Sequence, residues 1–415
     1  MTISSQHIAR SRTKSLVRQR REELRQLARQ VLAVTGILLI LGLLALFSAS
    51  TAPLAARGLY PYSTVLKQLG FIAAGLAAAW LCSFAFARLS YPAIKAVVAL
   101  GFLGNLALLV LVRFTPLGPE IYGARRWLRL GMVQFQPAEL LKLTLVLAIA
   151  AVLLTAAAGK RSKPFASFRT ERGELMTIRR DRLHLAWAYL GVLLSLGLVA
   201  IQPDLGTTAV MLATAFVVLL LVGVPLKSLA KFGLVIVLLG AGGYFLAPAK
   251  YQYALERIYT VFHPLENVTD ESYQITQSLG AVSQGGVFGR GYMHSQQKMN
   301  RLPLQDRDFI FAVWVEETGL LGALLVVGLF LFLPFICLRI SSLLPFGFES
   351  VAVFGLGFSL ALQAMVNVGT NAGVLPVSGL TLPFFSSGGT SIIVSLVMVG
   401  TILGLVRRNL PAGGS

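Results

Sequence analysis

The chain has 415 residues, of which 56% are hydrophobic and 13% charged, and its mean hydropathy is +0.75. That balance excludes an ordinary soluble globular domain and defines an all-α integral membrane protein. The formal net charge of +19 does not mark a nucleic-acid partner, because Lys and Arg cluster beside apolar segments and not on a separate polar domain.

Residues 1–30 carry eight basic residues, among them Arg18, Arg20, Arg21, Arg25 and Arg29, and read as a basic cytoplasmic tail. The apolar run that follows ends without a small-residue cleavage pattern, so it reads as an uncleaved first membrane helix. A bilayer core of roughly 30 Å needs about 20 helical residues. Ten stretches approach that length: 31–48, 69–87, 96–112, 140–158, 185–201, 207–224, 232–246, 309–338, 351–368 and 391–406. They define a membrane domain over 31–406, followed by a short cytoplasmic tail over 407–415.

Cytoplasmic loops carry the excess of Lys and Arg. With the N-terminus inside, ten spans place the basic 159–183 loop, Lys227, Lys231, Arg339, Arg407 and Arg408 all on the cytoplasmic side. Nine or eleven spans would export a basic end. Ten spans also leave a 61-residue connection outside, residues 248–308, between the seventh and eighth spans. Its aromatic and leucine content argues against disorder, and short amphipathic helices lying back on the membrane surface are expected. Cys82 and Cys337 both sit in apolar runs and read as packing residues.

The outer side holds the acids that could serve chemistry there. Glu139 and Lys142 in "QPAELLKL" lie three apart on one helix face and enter the membrane together. They are either a structural ion pair or a polar floor under a substrate head group. Asp204 in "QPDLGTT" reads as a helix N-cap, and Glu316 and Glu317 as helix-packing groups that can tune a neighbour. Asp308 stands just before "FIFAVW" at the water boundary, where a carboxylate stays ionised yet partly desolvated; it is either a general base, which requires that setting, or a plain helix cap.

Between the ninth and tenth spans, "NVGTNAGVLPVSGLTLPFFSSGGTS" holds Asn367, Asn371, Pro376, Gly379, Pro383, Ser386, Gly388 and Gly389, read as helix breakers in apolar surroundings. Irregular backbone at membrane depth survives only when buried in protein or lining a cavity, so residues 369–390 read as a re-entrant outer segment. By residues alone it could equally border an ion or solute pathway. There is no phosphate-binding glycine loop, zinc spacing or convincing nucleophile elbow.

Several segments together resemble the SEDS family (shape, elongation, division and sporulation), which includes FtsW, RodA and SpoVE. They are "GARRWLRLGMVQFQPAELLKL", "QPDLGTT", "YQITQSLGAVSQGGVFGRGY", "QQKMNRLPLQDRDFIFAVWVEETGLLG" and "NAGVLPVSGLTLPFFSSGGTS", in family order. The resemblance implies ten transmembrane helices and a peptidoglycan glycosyltransferase that polymerises lipid II into glycan strands on the outer face of the cytoplasmic membrane. It implies a class B penicillin-binding transpeptidase as partner, alongside other division or elongation membrane proteins. It gives Asp308 the catalytic carboxylate's role and places Arg126, Glu139, Lys142, Gln277, Lys298 and Ser386 at substrate-binding positions. A divalent ion, Mg²⁺ first, could help meet the pyrophosphate charge; no organic cofactor is implied. The glutamine-lysine pair of "QQKM" and the basic tail resemble the division type, FtsW, more than RodA.

Two departures stand out. The family usually reads Leu-Pro-Glu-Ala-His-Thr-Asp-Phe, whereas Leu304, Gln305, Asp306 and Arg307 occupy the middle four positions here, and Ser387 stands where Tyr is common. An outward cavity, buried ions and a broken helix also fit a lipid II flippase, and a scaffold for the transpeptidase is a third reading.

Overall fold

The structure is a computed structural model that describes residues 2–120, 124–131, 133–154, 164–169, 175–179, 182–246, 257, 259–260, 270–299 and 302–410. Helix α1 spans Thr2–Ala56, α2 Ser63–Arg88, α3 Tyr91–Phe114, α4 Pro137–Leu154, α5 Arg182–Ile201, α6 Leu205–Leu221 and α7 Leu226–Leu246. Helix α8 covers Asp270–Gly285, α9 Ile310–Leu343, α10 Phe348–Asn371 and α11 Gly389–Arg408. Two small antiparallel hairpins pair β1 (Leu128–Leu130) with β2 (Val133–Phe135) and β3 (Pro164–Arg169) with β4 (Leu175–Arg179).

Each of the ten predicted spans contains a helix over its described residues, with 155–158 of the fourth lying outside them. Eight of these helices are long and apolar enough to cross a membrane, and α4 and α6, at 18 and 17 residues, account for the other two. The tail read over residues 1–30 is not a separate element, because α1 runs unbroken through it for 55 residues. No Gly or Pro precedes Gly36, and the stretch is rich in Arg, Gln, Glu, Leu and Ala, which favour helix. At 1.5 Å per residue α1 is roughly 80 Å long, far more than the bilayer core requires.

Among the eight long spans α11 and α10 are the most buried and α7 the least, and α4 is also mostly buried. α11 packs on α2 at unusually short range: a Cβ added at Gly400 would lie 2.2 Å from the Ala79 carbonyl oxygen, and one at Gly404 2.6 Å from that of Ser83. Small residues four apart let two backbones touch, which is how helices associate where lipid offers no hydrophobic drive.

α9 differs from the single span expected over 309–338. Gly319, at φ 70° and ψ −166°, breaks it into two helices. The broken turn is closed by the glycine loop after α8: Arg290 N–H donates to the Glu316 carbonyl at 2.9 Å and Gly291 N–H to that of Glu317 at 3.0 Å. Leu320 N–H in turn donates to the Gly286 carbonyl at 2.9 Å. Glycine is common enough in membrane helices that Gly319 alone does not announce a break.

Within the outer connection, α8 is amphipathic, with Ser272, Ile275, Ser278, Ala281 and Gly285 on its buried stripe. That stripe packs on α9 and α10, so the apolar side of this helix is buried against protein. All eight basic side chains of the 159–183 loop, and residues 411–415, lie outside what the structure describes.

Between α10 and α11 the chain is irregular yet buried. Phe385 meets Trp314 edge-on, with centroids 6.1 Å apart, and Phe384 and Phe385 both contact Phe330 in the second half of α9. Asn367 and Asn371, read from sequence as helix breakers, belong to α10, which continues to Asn371.

Candidate active site

Asp308 sits in the turn before α9, and its position is fixed through its backbone. Asn367 Nδ2 donates to the Asp308 carbonyl oxygen at 2.8 Å and Asn371 Nδ2 donates to the same oxygen at 2.9 Å. Asn371 Oδ1 accepts from Ala312 N–H at 3.0 Å, in the first turn of α9. Asn367 also donates to the Leu380 carbonyl at 2.7 Å. Two asparagines one helical turn apart on α10 therefore clamp the acid's main chain to both α9 and the irregular segment.

The Asp308 side chain is half-buried and accepts no hydrogen bond among the described residues. Burial pushes its carboxyl up to about 6; Arg307 and Arg257 oppose the shift, while Asp306 and Asp204 add to it. Desolvation disfavours the charged form, and with no hydrogen-bond donor on the carboxylate among the described residues the two arginines offset it only in part. The result is an acid poised near neutrality with its oxygens uncommitted.

The flank of the site comes from residues 376–388. Ser386 Oγ donates to the Arg307 carbonyl at 2.6 Å and accepts from Leu382 N–H at 2.8 Å, while its own carbonyl accepts from Gln68 Nε2 at 3.0 Å. Ser387 donates to Asp306 twice, from its N–H to the carbonyl at 2.8 Å and from Oγ to Oδ2 at 2.9 Å. The two departures from the family motif, Asp306 and Ser387, are thus in contact. Sequence inspection could not pair them across 81 positions.

Asp204 caps α6, accepting from Thr207 N–H at 3.2 Å as its sequence context predicts, and also accepts from Gln136 Nε2 at 3.2 Å. Arg126 donates to the Gln202 carbonyl at 3.0 Å and to the Pro203 carbonyl, and so is anchored on the α5–α6 link. Arg257 donates to the Val377 carbonyl at 2.8 Å. Gln277 is half-buried on α8.

Glu139 and Lys142 form a buried ion pair at 2.9 Å, and Lys142 also donates to Gln363 on α10. Gln363 Nε2 passes the connection to the Thr381 carbonyl at 2.9 Å. The pair thus links α4 to α10 and, through Gln363, to the irregular segment. Lys298 is 1% exposed, and its ammonium donates to Glu317 at 2.7 Å, Ser48 Oγ at 2.8 Å and the Met293 carbonyl at 2.8 Å. Glu316 accepts from Ser295 Oγ at 2.5 Å and from the N–H groups of Gln296 and Gln297 at 2.8 and 3.3 Å.

These contacts revise the sequence-based ranking of cations. Lys142 and Lys298, expected to touch substrate, are buried with their donors directed to protein acceptors, and Ser386 likewise spends its hydroxyl internally. The cations whose charge reaches Asp308 are Arg257 and Arg307. Sequence reasoning ranked neither, and gave no role to Gln363. The i, i+4 spacing of Asn367 and Asn371 was the available signal for a shared polar face. Among the described residues no three His, Cys, Asp or Glu side chains converge as a metal-binding group.

A polytopic helical membrane protein with one uncommitted carboxylate beside a buried irregular segment is the class that fold and site define. The FtsW/RodA/SpoVE family profile, described as a cell cycle protein, matches residues 28–410, and the chain belongs to that family. It is 32% identical over 383 residues to the probable peptidoglycan glycosyltransferase FtsW of Coxiella burnetii, covering 90% of this chain and 94% of that one. It is 32% identical over 375 residues to stage V sporulation protein E of Bacillus subtilis, covering 90% and 95%. Among solved structures, a chain reported under "Structural coordination of polymerization and crosslinking by a peptidoglycan synthase complex" superposes with a TM-score of 0.69 at 29% identity, covering 91% of this chain and 97% of that one. The rod shape determining protein RodA of Thermus thermophilus superposes with a TM-score of 0.62 at 26% identity, covering 92% and 97%.

Proposed function

We propose that the chain is a peptidoglycan glycosyltransferase, an inverting lipid II polymerase working on the outer face of the cytoplasmic membrane. Asp308 carries the reading: it is held by its backbone, raised to about 6, and free to accept a proton. The names of the family relatives and the synthase-complex neighbour support it. In this reading the N- and C-termini are cytoplasmic, as the basic loops require.

Asp308 takes the proton from the 4-hydroxyl of the acceptor's N-acetylglucosamine. That oxygen attacks the anomeric carbon of the lipid-linked donor, the C1–O bond to the pyrophosphate breaks, and undecaprenyl pyrophosphate leaves with inversion. A base whose pKa sits just below working pH is mostly ionised yet still accepts a proton well. Arg257, Arg307 and Arg126 meet the developing pyrophosphate charge. Gln277 binds the sugar or stem-peptide portion, while the Glu139–Lys142 pair, Lys298 and Ser386 hold the frame. Mg²⁺ belongs to the proposal as added positive charge on the pyrophosphate, where Asp306 would supply an oxygen ligand of the type it prefers and Asp308 would stay free as the base. A class B transpeptidase is the proposed partner, and the division type, FtsW, the proposed subtype.

Reconstituted protein with fluorescent lipid II tests this directly. Glycan ladders that disappear in Asp308→Asn support it. Label crossing the bilayer without ladders would assign a flippase, and neither result, with the partner present, a scaffold.

A further inference from the structure

A cleft of about 440 Å³ opens between α3, α4 and α5, well away from Asp308. Its floor is Val98, Phe102, Ile149 and Ala188, all buried, and its open flank includes the exposed Leu103 and Trp187. Lys95 lines one end. Its ammonium lies 5.4 Å from the centroid of the Tyr91 ring, and among the described residues no carboxylate comes within ion-pair distance of it.

The cleft has the proportions of one leaflet. It begins one turn into α3 at Lys95 and near the start of α5 at His184, and reaches Leu106 and Leu194. From Lys95 to Leu106 the helix rises about 16 Å, half the roughly 30 Å hydrocarbon core. An apolar trough of that depth, with Trp187 on its open flank and at one end a cation that no carboxylate among the described residues neutralises, matches a lipid with one chain in the trough and an anionic phosphate at the rim.

We propose that this cleft is a binding site for an anionic phospholipid, with an acyl chain along Phe102 and Ala188 and the phosphate on Lys95. A zwitterionic lipid fills the trough equally well but carries no net charge for the ammonium, so Lys95 selects the head group. With the N-terminus cytoplasmic, α3 and α5 both start on the cytoplasmic side, which places the cleft in the cytoplasmic leaflet; only that assignment rests on the orientation proposed above. The cleft belongs to no step of glycan transfer, so neither this site nor the polymerase reading depends on the other.

Quenching of Trp187 by bromine-labelled lipid acyl chains tests the site in the full-length protein. Vesicles of unlabelled phosphatidylcholine receive rising fractions of brominated phosphatidylglycerol or brominated phosphatidylcholine, and the Trp187 signal is isolated by subtracting a Trp187→Phe variant. Half-quenching is expected at about fivefold less phosphatidylglycerol than phosphatidylcholine, the worth of one lysine near an anionic surface. Lys95→Ala should bring the two curves together. Ala99→Phe, made at an exposed position on the cleft wall, should lower the quenching by both lipids without unfolding the chain. Coincident curves in the wild type would overturn the proposal, as would a preference for phosphatidylglycerol that survives Lys95→Ala.

Discussion

Asn371 donates its side-chain amide to the Asp308 carbonyl at 2.9 Å, across 63 positions of sequence, while its own oxygen accepts from Ala312 at 3.0 Å. One side chain thus sets both the acid's backbone and the first turn of α9. The carboxylate is aimed by main-chain geometry, which leaves its two oxygens free for chemistry.

Removing that clamp should cost rate more than affinity. Asn371→Ala removes one of two acceptors of the Ala312 N–H, which keeps the Phe309 carbonyl at 3.1 Å, and one of the two donors on the Asp308 carbonyl, at about 0.5–1.5 kcal/mol in stability per hydrogen bond lost. Polymerisation assays should show kcat reduced at least tenfold with KM little changed. Loss confined to KM would mean that Asn371 contacts substrate instead.

Activity should fall on the acid side with a midpoint near the Asp308 value of about 6. Asp306 adds to that upward shift, so Asp306→Asn should move the acid limb to lower pH. A pH–rate profile of kcat/KM on both proteins reads this, and a limb that stays in place would remove Asp306 from the tuning. At neutral pH, Asp308→Asn should lose about 10²- to 10⁴-fold, the usual worth of a general base.

The same raised value carries a stability consequence of definite sign. A carboxyl held near 6 in the fold but near 3.8 when unfolded favours folding below the lower value, and that advantage is lost as pH rises through the upper one. Asp308→Asn should therefore melt higher than the wild type at pH 8, by up to about 3 kcal/mol, and equally at pH 3.5. Thermal unfolding at the two pH values checks it; a variant less stable at pH 8 would contradict the desolvation.

Lys298 and Glu317 should behave as a buried pair. Either Lys298→Met or Glu317→Gln alone leaves an uncompensated group among Ser48, Ser295 and Met293, at about 3–5 kcal/mol, while the double variant should recover much of that loss. A double-mutant cycle on thermal stability measures the coupling. Additive losses would show that the two act separately.

Chelation tests the proposed metal. Adding EDTA should slow polymerisation, and restoring Mg²⁺ should recover it, without any change in melting temperature, because the ion is proposed to arrive with the pyrophosphate. Full activity in EDTA would remove Mg²⁺ from the mechanism.

The membrane class, the ten helical segments and the cap at Asp204 were legible in the chain itself, because hydrophobic run length, loop charge and capping depend on residues close in sequence. Asp308 was also visible, as an acid at the edge of an apolar run within a family motif. The tertiary structure decided what those local patterns leave free. It turned Lys298 and Lys142 inward to meet Glu317, Glu139 and Gln363, drew Arg257 and Arg307 to the acid, and set Ser387 against Asp306. It also opened α9 at Gly319, where another loop's amides and carbonyls could close the broken turn. Apart from Lys142–Glu139 and Arg307–Asp308, which are near neighbours in the chain, these outcomes are partnerships between residues 19 to 221 positions apart, and a buried charge or freed peptide group survives only where packing supplies its complement.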